Sequence, residues 1–190
     1  MIEIILASTS PARQELLRET GLNFRVEGSS FDETIFSSQN PEELVQYLAL
    51  GKARVVAQRN PAAVVIGADT IIFHNNKIIG KPTDKTDVTQ LLKSYGGLPH
   101  AVYTGLAVVQ ATKEKSCVVK AEVIFRNLSD KEIADYIQTG EPFGNAGSYT
   151  IQKRGATLID SIHGDYYAII GLPIFKLFKM LREFGVNPLE

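Results

Sequence analysis

Residues 6–17 read Leu6-Ala7-Ser8-Thr9-Ser10-Pro11-Ala12-Arg13-Gln14-Glu15-Leu16-Leu17, and they lead from a short apolar strand directly into a helix. Ser10 is a typical N-cap, and Pro11 suits the first helical position because its missing N–H has no helical acceptor there. A strand that passes straight into a helix is typical of α/β proteins. The stretch therefore predicts an α/β fold.

The first turn of this helix departs from the usual capping pattern. A capping box would place Glu or Gln three residues after Ser10, and that position holds Arg13. A cation at the positive end of the helix dipole costs a few tenths of a kcal/mol unless an anion lies beside it. The hydroxyls of Ser8, Thr9 and Ser10, with the free helix N–H groups and the arginine, therefore predict a phosphate site. An ordinary capped helix is the equally weighted alternative.

Composition limits the fold and the partners. The chain has 190 residues, 44% of them hydrophobic, which is enough for a sizeable core in one domain over residues 1–190 or in two closely joined lobes. A net charge of −1 gives no basic field for a nucleic-acid polymer or a membrane surface, so we expect neither as a partner. Cys117 is the single cysteine and allows no internal disulfide. Because the sequence shows no secretion signal, we expect a cytoplasmic protein.

Apolar runs alternate with helical patterns along the rest of the chain. Strands are predicted at residues 24–27, 63–67, 71–73, 77–79, 100–110 and 117–125, with a polar interruption after residue 67 and a hairpin turn at Asn75-Asn76. Helices are predicted at residues 41–58, 84–94, 130–139 and 172–184. The last two strands are typical of a long antiparallel hairpin, which predicts a mixed sheet with flanking helices.

Asp69 is the first candidate for a catalytic residue. It lies in the run Val64-Val65-Ile66-Gly67-Ala68-Asp69-Thr70-Ile71-Ile72, where burying an unpaired carboxylate would cost several kcal/mol. Asp69 should therefore face a cleft, a cation or a metal, and the alternative is a carboxylate that simply ends a strand. Gly67 allows another segment or a substrate to approach the backbone closely.

Two lysines are candidates to accompany Asp69. Lys52 lies on the stripe of Leu48 in the apolar face of a helix, so it either points inward or extends its ammonium to water. Lys81 is held extended because Pro82 disfavours helical geometry at the residue before it. An extended lysine can reach into a cleft, and an ordinary solvated loop lysine is the alternative.

Carboxylates dominate the remaining polar residues. Glu33 lies in a polar loop before the helix of Lys52, and Glu141 precedes a glycine-rich turn. With Asp69 they form an oxygen-rich, imidazole-poor set that suits Mg²⁺ or Mn²⁺, whereas solvated acidic loops are the plainer interpretation. The sequence has no phosphate loop, dinucleotide fingerprint, zinc-protease motif or nucleophile elbow. A hydrolase built from these residues would therefore use a metal and carboxylates.

Five motifs together resemble the Maf (septum formation inhibitor-like) family of nucleoside triphosphate pyrophosphatases over nearly the whole chain. They are Leu6-Ala7-Ser8-Thr9-Ser10-Pro11 with Arg13, Gly67-Ala68-Asp69-Thr70, Gly80-Lys81-Pro82, Glu141-Pro142 with Ala146-Gly147-Ser148-Tyr149-Thr150-Ile151-Gln152, and Gly164-Asp165-Tyr166 with Gly171-Leu172-Pro173. The resemblance implies a fold similar to that of the inosine triphosphate pyrophosphatases, with an elongated mixed sheet and two lobes around a cleft. It also implies a cytoplasmic homodimer.

The resemblance implies hydrolysis of a nucleoside triphosphate at the α-phosphorus, with a divalent cation such as Mg²⁺ or Mn²⁺, to the monophosphate and pyrophosphate. It makes Asp69 the base that activates water. Asp69 and Glu33 would together hold the metal, and Glu33 could instead help to hold the water. Lys52 and Lys81 would offset charge that develops in the transition state. The implied ligands of the phosphate oxygens are Ser8, Ser10 and Arg13.

Three positions bear on the choice of base. Arg13, Thr70 and Gln152 match the branch that resembles dTTP/UTP pyrophosphatases, so pyrimidine nucleotides, including modified ones, are the expected substrates. The amide of Gln152 both donates and accepts, and this suits the edge of a uracil. Ala12 departs from the Arg that many members carry there, which weakens the expected phosphate contacts. Two alternatives stay open: a nucleotide-binding regulator of cell division without turnover, and a purine-type pyrophosphatase acting on inosine triphosphate.

Overall fold

The structure is a computed structural model that describes residues 2–187. Its strands are β1 (Ile4–Leu6), β2 (Arg25–Val26), β3 (Val64–His74), β4 (Lys77–Ile79), β5 (Pro99–Gln110), β6 (Lys113–Phe125) and β7 (Ile159–His163). Its helices are α1 (Pro11–Glu19), α2 (Pro41–Arg59), α3 (Lys85–Tyr95), α4 (Asp130–Gln138), α5 (Tyr166–Ile170) and α6 (Ile174–Glu183). Short 3₁₀ turns lie at Glu33–Ile35, Ala146–Ser148 and Lys153–Leu158. Among residues 2–187, no helix has the length and apolarity needed to span a membrane.

The strands form one mixed sheet. The order is β2-β1-β3-β5-β6-β7, and β4 pairs with β3 off this path. β1 runs parallel to β2 and β3, and Leu6 lies opposite both Val26 and Ile66. The pairs β3–β4 and β6–β7 are antiparallel. The prediction of a mixed sheet with flanking helices is therefore confirmed.

The chain divides into two compact units. Unit 1 comprises Met1–Thr70, Tyr103–Val119 and Tyr167–Glu190, and unit 2 comprises Ile71–Val102 and Lys120–Tyr166. Strands β3, β5 and β6 contribute residues to both units.

Unit 1 is built around the first parallel strands. Successive side chains of a strand point to opposite faces, and both faces of β1 are buried. Leu6 packs in a core with residues of α1 and α6, whereas Ile5 packs in a second core with residues of α2. Burial on both faces explains why these strands read as continuous apolar runs instead of alternating patterns.

Unit 2 contains a buried set of rings, here called the aromatic cluster, that consists of His74, Tyr95, His100, Phe125 and Tyr149. The rings of Tyr95 and His100 stack with their centroids 4.1 Å apart. The rings of Phe125 and Tyr149 meet at an angle of 80° with their centroids 4.9 Å apart. Such offset and edge-on contacts are the favoured arrangements of aromatic pairs.

Three predicted elements differ from the structure. The two runs at residues 63–67 and 71–73 form one continuous strand, β3, because Asp69 within it is paired and does not interrupt the ladder. The hairpin between β5 and β6 turns at residues 111–112, so polar residues predicted as turn extend β6 back to Lys113. A connection this short permits only antiparallel pairing. Strand β7 was not predicted.

The predicted helix at residues 172–184 is also wrong at its start. Gly171 has a φ of 119°, which ends α5, and Pro173 is the N-cap from which α6 begins. The positive φ of Gly171 takes the backbone out of helical geometry, and Pro173, two residues later, has no N–H to donate to the preceding turn, so α5 and α6 are separate helices. The short helix α5 was not predicted.

Candidate active site

The carboxyl end of β1 brings the first candidate residues beside β3. The N–H of Ala7 donates to the carbonyl of Ile66 at 2.8 Å, which continues the parallel register beyond Leu6. Ligands of open α/β sheets bind at the carboxyl ends of such strands. Ser8 and the start of α1 therefore lie where the sheet is expected to carry a site.

Helix α2 packs closely on β3 at Gly67. A Cβ atom at Gly67 would overlap the carbonyl oxygen of Ala49 and would lie 2.9 Å from the Cβ of Ala53. The expectation that Gly67 admits another segment is confirmed, and that segment is α2. This approach allows Lys52, on the same helix, to reach Asp69 on β3.

Glu33, Lys52 and Asp69 form what is here called the carboxylate cluster. The ammonium Nζ of Lys52 lies 2.5 Å from Asp69 Oδ1 and 3.0 Å from Glu33 Oε1. The side chains of Lys52 and Asp69 are only 14% and 12% exposed. A carboxylate so far removed from water requires a partner, and the lysine supplies the compensating charge. Of the surroundings predicted for Asp69, a cleft, a cation or a metal, the structure shows a cation. Of the two alternatives for Lys52, the structure shows the inward one.

A packed aromatic ring brings Glu33 to the cluster. The ring of Phe31 lies over Gly51 of α2, where a Cβ atom would overlap it. Asp32 then caps the 3₁₀ turn by accepting from Thr34 N at 2.9 Å. The hydrogen bonds from Thr34 lower the pKa of Asp32. Glu33, with 55% of its side chain exposed, forms the solvent side of the carboxylate cluster.

The carboxylate cluster provides oxygen ligands but no dense metal centre. Within the described residues 2–187, no three His, Cys, Asp or Glu residues converge as metal ligands. Asp69 and Glu33 each give one oxygen to Lys52. Mg²⁺ is commonly bound through one or two carboxylates together with substrate phosphates and waters. The two carboxylates therefore fit a cation that binds together with a phosphate substrate.

Ser8, Arg13, Thr70 and Thr104 form a second group, here called the hydroxyl network. Arg13 donates from Nη1 to Ser8 Oγ at 3.3 Å, from Nη2 to Thr70 Oγ1 at 2.9 Å and from Nε to the carbonyl of Gly171 at 2.8 Å. Burial lowers the pKa of Arg13, and the charges of Asp69 and Glu33 oppose that change. The guanidinium is therefore held chiefly by neutral oxygens of the protein.

Thr104 is the buried end of the hydroxyl network. It is fully buried on β5, lies 2.9 Å from Thr70 between the two Oγ1 atoms, and donates to the carbonyl of Ala168 at 2.7 Å. Sequence reasoning missed this residue. The available signal was the same as for Asp69, a polar residue within an otherwise apolar strand.

Ser10 behaves as predicted at the start of α1. Its hydroxyl accepts from the backbone N–H of Arg13 at 3.5 Å, which is the N-cap arrangement. The side chain of Arg13 extends away from this cap to Thr70 and Gly171. The capped helix and the phosphate site are therefore compatible, because the cap uses the backbone of Arg13 and leaves its side chain for the hydroxyl network.

The other candidates belong to unit 2. Lys81 is exposed beside a groove of about 380 Å³, and the carbonyl of Gly80 accepts from Gly147 N at 3.1 Å. Gln152 is half-buried, and its backbone N–H donates to Thr150 Oγ1 at 3.3 Å. Glu141, one of the acidic candidates, accepts from two backbone N–H groups, those of residues 154 and 155. Glu141 therefore stabilises a turn within unit 2.

Comparison with known proteins identifies the family of this chain. Residues 3–184 match the family model described as Maf-like protein. The chain belongs to this family. The resemblance predicted from the five motifs is thereby confirmed for nearly the whole sequence.

Curated relatives of this Maf-like chain share its full length. A protein of Pelotomaculum thermopropionicum named dTTP/UTP pyrophosphatase is 43% identical over 191 residues, which cover 100% of both chains. A protein of the same name from Symbiobacterium thermophilum is 45% identical over 185 residues, covering 97% of this chain and 95% of the relative. Another, from Bacillus anthracis, is 41% identical over 187 residues, or 98% of each chain.

Solved structures give fainter likenesses. A HAM1 protein from Coxiella burnetii aligns with 66% of this chain and 73% of its own, at 15% identity and a TM-score of 0.46. A nucleoside-triphosphatase / dITP/XTP pyrophosphatase from Mycobacterium abscessus aligns with 73% of this chain and 95% of its own, at 14% identity and a TM-score of 0.45.

Proposed function

We propose that this Maf-like chain hydrolyses dTTP and UTP to the nucleoside monophosphate and pyrophosphate. The observation that carries the proposal is the carboxylate cluster, in which Asp69 is held beside the ammonium of Lys52. The names of the curated relatives support the substrate class, since they match this chain over its whole length at 41–45% identity. Family membership supports the reaction.

Asp69 is proposed as the base that takes a proton from the attacking water. A general base must lie within hydrogen-bond reach of that water and must have a free acceptor. Asp69 uses Oδ1 for Lys52, and among residues 2–187 its Oδ2 has no hydrogen-bond partner. This second oxygen is therefore available to the water, while Lys52 fixes the orientation of the carboxylate.

Phosphate oxygens are proposed to bind at the start of α1. Ser8 and Ser10 place two hydroxyls at the N-terminus of α1, where the helix dipole favours anions. Arg13 adds positive charge close to them. Together these groups would offset part of the charge of a triphosphate.

A divalent cation is proposed to bind with the substrate, held by Asp69 and Glu33. When bound, Mg²⁺ or Mn²⁺ would neutralise phosphate charge and polarise the phosphorus that water attacks. Glu33 suits this position because its half-exposed side chain is open to solvent.

Lys81 and Gln152 keep the roles that family resemblance implies for them as proposals, whereas the hydroxyl of Thr70, expected to contact the substrate, is engaged by Arg13 and Thr104. Lys81 would offset charge in the transition state. The amide of Gln152 has no hydrogen-bond partner among the described residues and would read the edge of a pyrimidine. Homodimer formation and a cytoplasmic location stay predictions.

The test of this function is release of pyrophosphate by the purified chain from dTTP or UTP with Mg²⁺ or Mn²⁺. Asp69→Asn should lower the rate about a thousand-fold, because loss of a general base typically costs two to four orders of magnitude. Asp135→Asn is the matched control, since Asp135 also pairs with a lysine, Lys131, at 2.6 Å but lies exposed on α4. This control should retain the full rate.

Four outcomes would contradict the proposal. Release of orthophosphate alone would exclude attack at the α-phosphorus, and full activity of Asp69→Asn would exclude its role as the base. Saturable nucleotide binding without hydrolysis across a broad panel would support the regulator. A preference for inosine triphosphate in the same panel would move the substrate class to purines.

A further inference from the structure

The hydrogens of the hydroxyl network have only one consistent arrangement. The carbonyl of Ala168 can only accept, so the single O–H of Thr104 donates to it. Thr104 must then accept from Thr70, although the 2.9 Å distance between their oxygens alone permits either direction. The hydrogen of Thr70 is thereby used, and its oxygen accepts from Arg13, which has no acceptor of its own.

The same donors fix the role of Ser8. Its Oγ accepts from the backbone N–H of Ser10 at 3.3 Å and from Nη1 of Arg13 at 3.3 Å. A serine hydroxyl has two lone pairs and one hydrogen, so both acceptor positions of Ser8 are occupied. Its O–H is left to donate, and a phosphate oxygen can only accept. Ser8 is also 93% removed from solvent, with 7% of its surface exposed, so water competes weakly for that hydrogen.

We propose that Thr104 is a positioning residue for substrate binding, acting through Thr70 and Arg13 to keep the hydroxyl of Ser8 a donor to a phosphate oxygen. This inference rests on the proposed function, in which Ser8 holds phosphate. It gives Arg13 an indirect role in addition to that of its charge, since three of its five N–H groups donate to the protein. Thr70 likewise has no hydrogen left for a substrate and acts within the chain of hydroxyls.

The proposal is tested with a double-mutant cycle of Thr104→Val and Ser8→Ala. Valine matches the shape of threonine but removes the hydroxyl that orders the network. Thr104→Val should raise KM for UTP about tenfold, the effect of one charge-assisted hydrogen bond, and change kcat by less than about twofold. In the Ser8→Ala background the same substitution should change KM by less than about twofold, because coupled residues are not additive.

Two further variants separate positioning from packing. Thr104→Ser keeps the hydroxyl and should retain the KM of the unmodified protein. Thr139→Val removes a threonine hydroxyl that also donates to a backbone carbonyl, that of Tyr136 at 2.7 Å, but lies in unit 2 outside the network. This control should leave KM unchanged.

A second variant, at another hydroxyl of the network, keeps the test valid if Thr104→Val does not fold. Thr70→Val removes the preceding hydroxyl and should show the same dependence on Ser8. An equal rise in KM in both Ser8 backgrounds, for either valine variant, would overturn the inference. So would a Thr104→Ser protein that behaves like Thr104→Val.

Titration of the same proteins with pyrophosphate by calorimetry separates this inference from the proposed function. If no protein hydrolyses UTP but the loss of pyrophosphate affinity still depends on Ser8, the proposed function fails and the positioning role stands. If UTP is hydrolysed and the two substitutions act independently in both measurements, the function stands and the positioning role is wrong.

Discussion

Units 1 and 2 treat their buried polar groups in opposite ways. In unit 1 the side chain of Lys52 pairs with two carboxylates, and that of Arg13 donates to hydroxyls and a carbonyl. In the aromatic cluster of unit 2, burial lowers the pKa of His100 to about 3 and raises that of Tyr149 well above its ordinary value. The same physical cost of burial is thus met by pairing charges in unit 1 and by suppressing ionisation in unit 2.

The two units also differ in how many of their buried polar atoms have hydrogen-bond partners. In the network around Arg13 each hydroxyl oxygen has a hydrogen-bond partner, and the hydrogen of Ser8 is the one left for a substrate. In unit 2, His100 Nδ1 and Ser148 Oγ are buried without a partner among residues 2–187. The difference teaches that buried polar groups are paired where the proposed chemistry needs them, and that elsewhere the core accepts unpaired polar atoms at some cost in stability.

The largest effect is expected from breaking the charge pairing of unit 1. Lys52→Met leaves Asp69 without a cation in a poorly hydrated position, which should lower the free energy of unfolding by about 3 kcal/mol. Release of pyrophosphate should fall about a hundred-fold or more, because the carboxylate loses its orientation and the charge of the lysine. Denaturant titration and a pyrophosphate assay measure the two losses.

Lys131→Met is the control for Lys52→Met. It breaks the exposed pair of Lys131 with Asp135 on α4, and solvated pairs contribute little to stability. Its unfolding curve and activity should match those of the unmodified protein. If Lys52→Met were equally harmless, the contrast between a paired buried charge and a solvated one would be wrong.

A smaller effect is expected when the packing behind the ion pair changes. Gly67→Ala forces a Cβ atom into the carbonyl of Ala49, so α2 must shift from β3 and separate Lys52 from Asp69. Overpacking of this kind should cost about 2 kcal/mol of unfolding free energy and reduce activity. Gly80→Ala is the control for stability, because a Cβ atom there meets nothing within 4 Å. Equal unfolding free energies for the two variants would contradict the close approach of α2.

The carboxylate cluster could be predicted in part because its residues break local patterns. Asp69 interrupts an apolar strand and Lys52 interrupts an apolar helix face. Each position therefore indicates a buried charge that needs a partner, even before the structure is known. Their pairing could not be read directly, since it depends on how α2 crosses β3. Gly67 was the sequence signal for that crossing, and the structure identifies α2 as the segment it admits.

The hydroxyl network was beyond sequence reasoning because its contacts join distant residues. Arg13 donates hydrogen bonds to Thr70 and to the carbonyl of Gly171, which are 57 and 158 positions away in the sequence. The charge of Arg13 at a helix N-terminus correctly indicated an unusual environment, but no local rule names a carbonyl as its partner. The break between α5 and α6 at Gly171 was missed for the same reason, although it presents that carbonyl to the arginine.

The smallest effect, and the one that probes unit 2, is a dependence of stability on pH through His100. The unfolded imidazole binds a proton below its ordinary pKa of 6.5, whereas burial and the nearby His74 hold the folded pKa at about 3. The unfolded state therefore binds more protons between these values, and stability falls as the pH falls. The loss should be roughly 0.7 kcal/mol between about pH 7 and pH 6. Denaturant titrations at each pH measure this slope.

Two variants assign that slope to His100. His100→Gln removes the titrating ring and should flatten the dependence of unfolding free energy on pH. Tyr149→Phe removes the hydroxyl that lies 2.7 Å from His100 Nε2 but keeps the buried imidazole, so it should lower stability at every pH and preserve the slope. Equal slopes for His100→Gln and the unmodified protein would mean that the aromatic cluster does not suppress a charge, and the contrast between the two units would then rest on unit 1 alone.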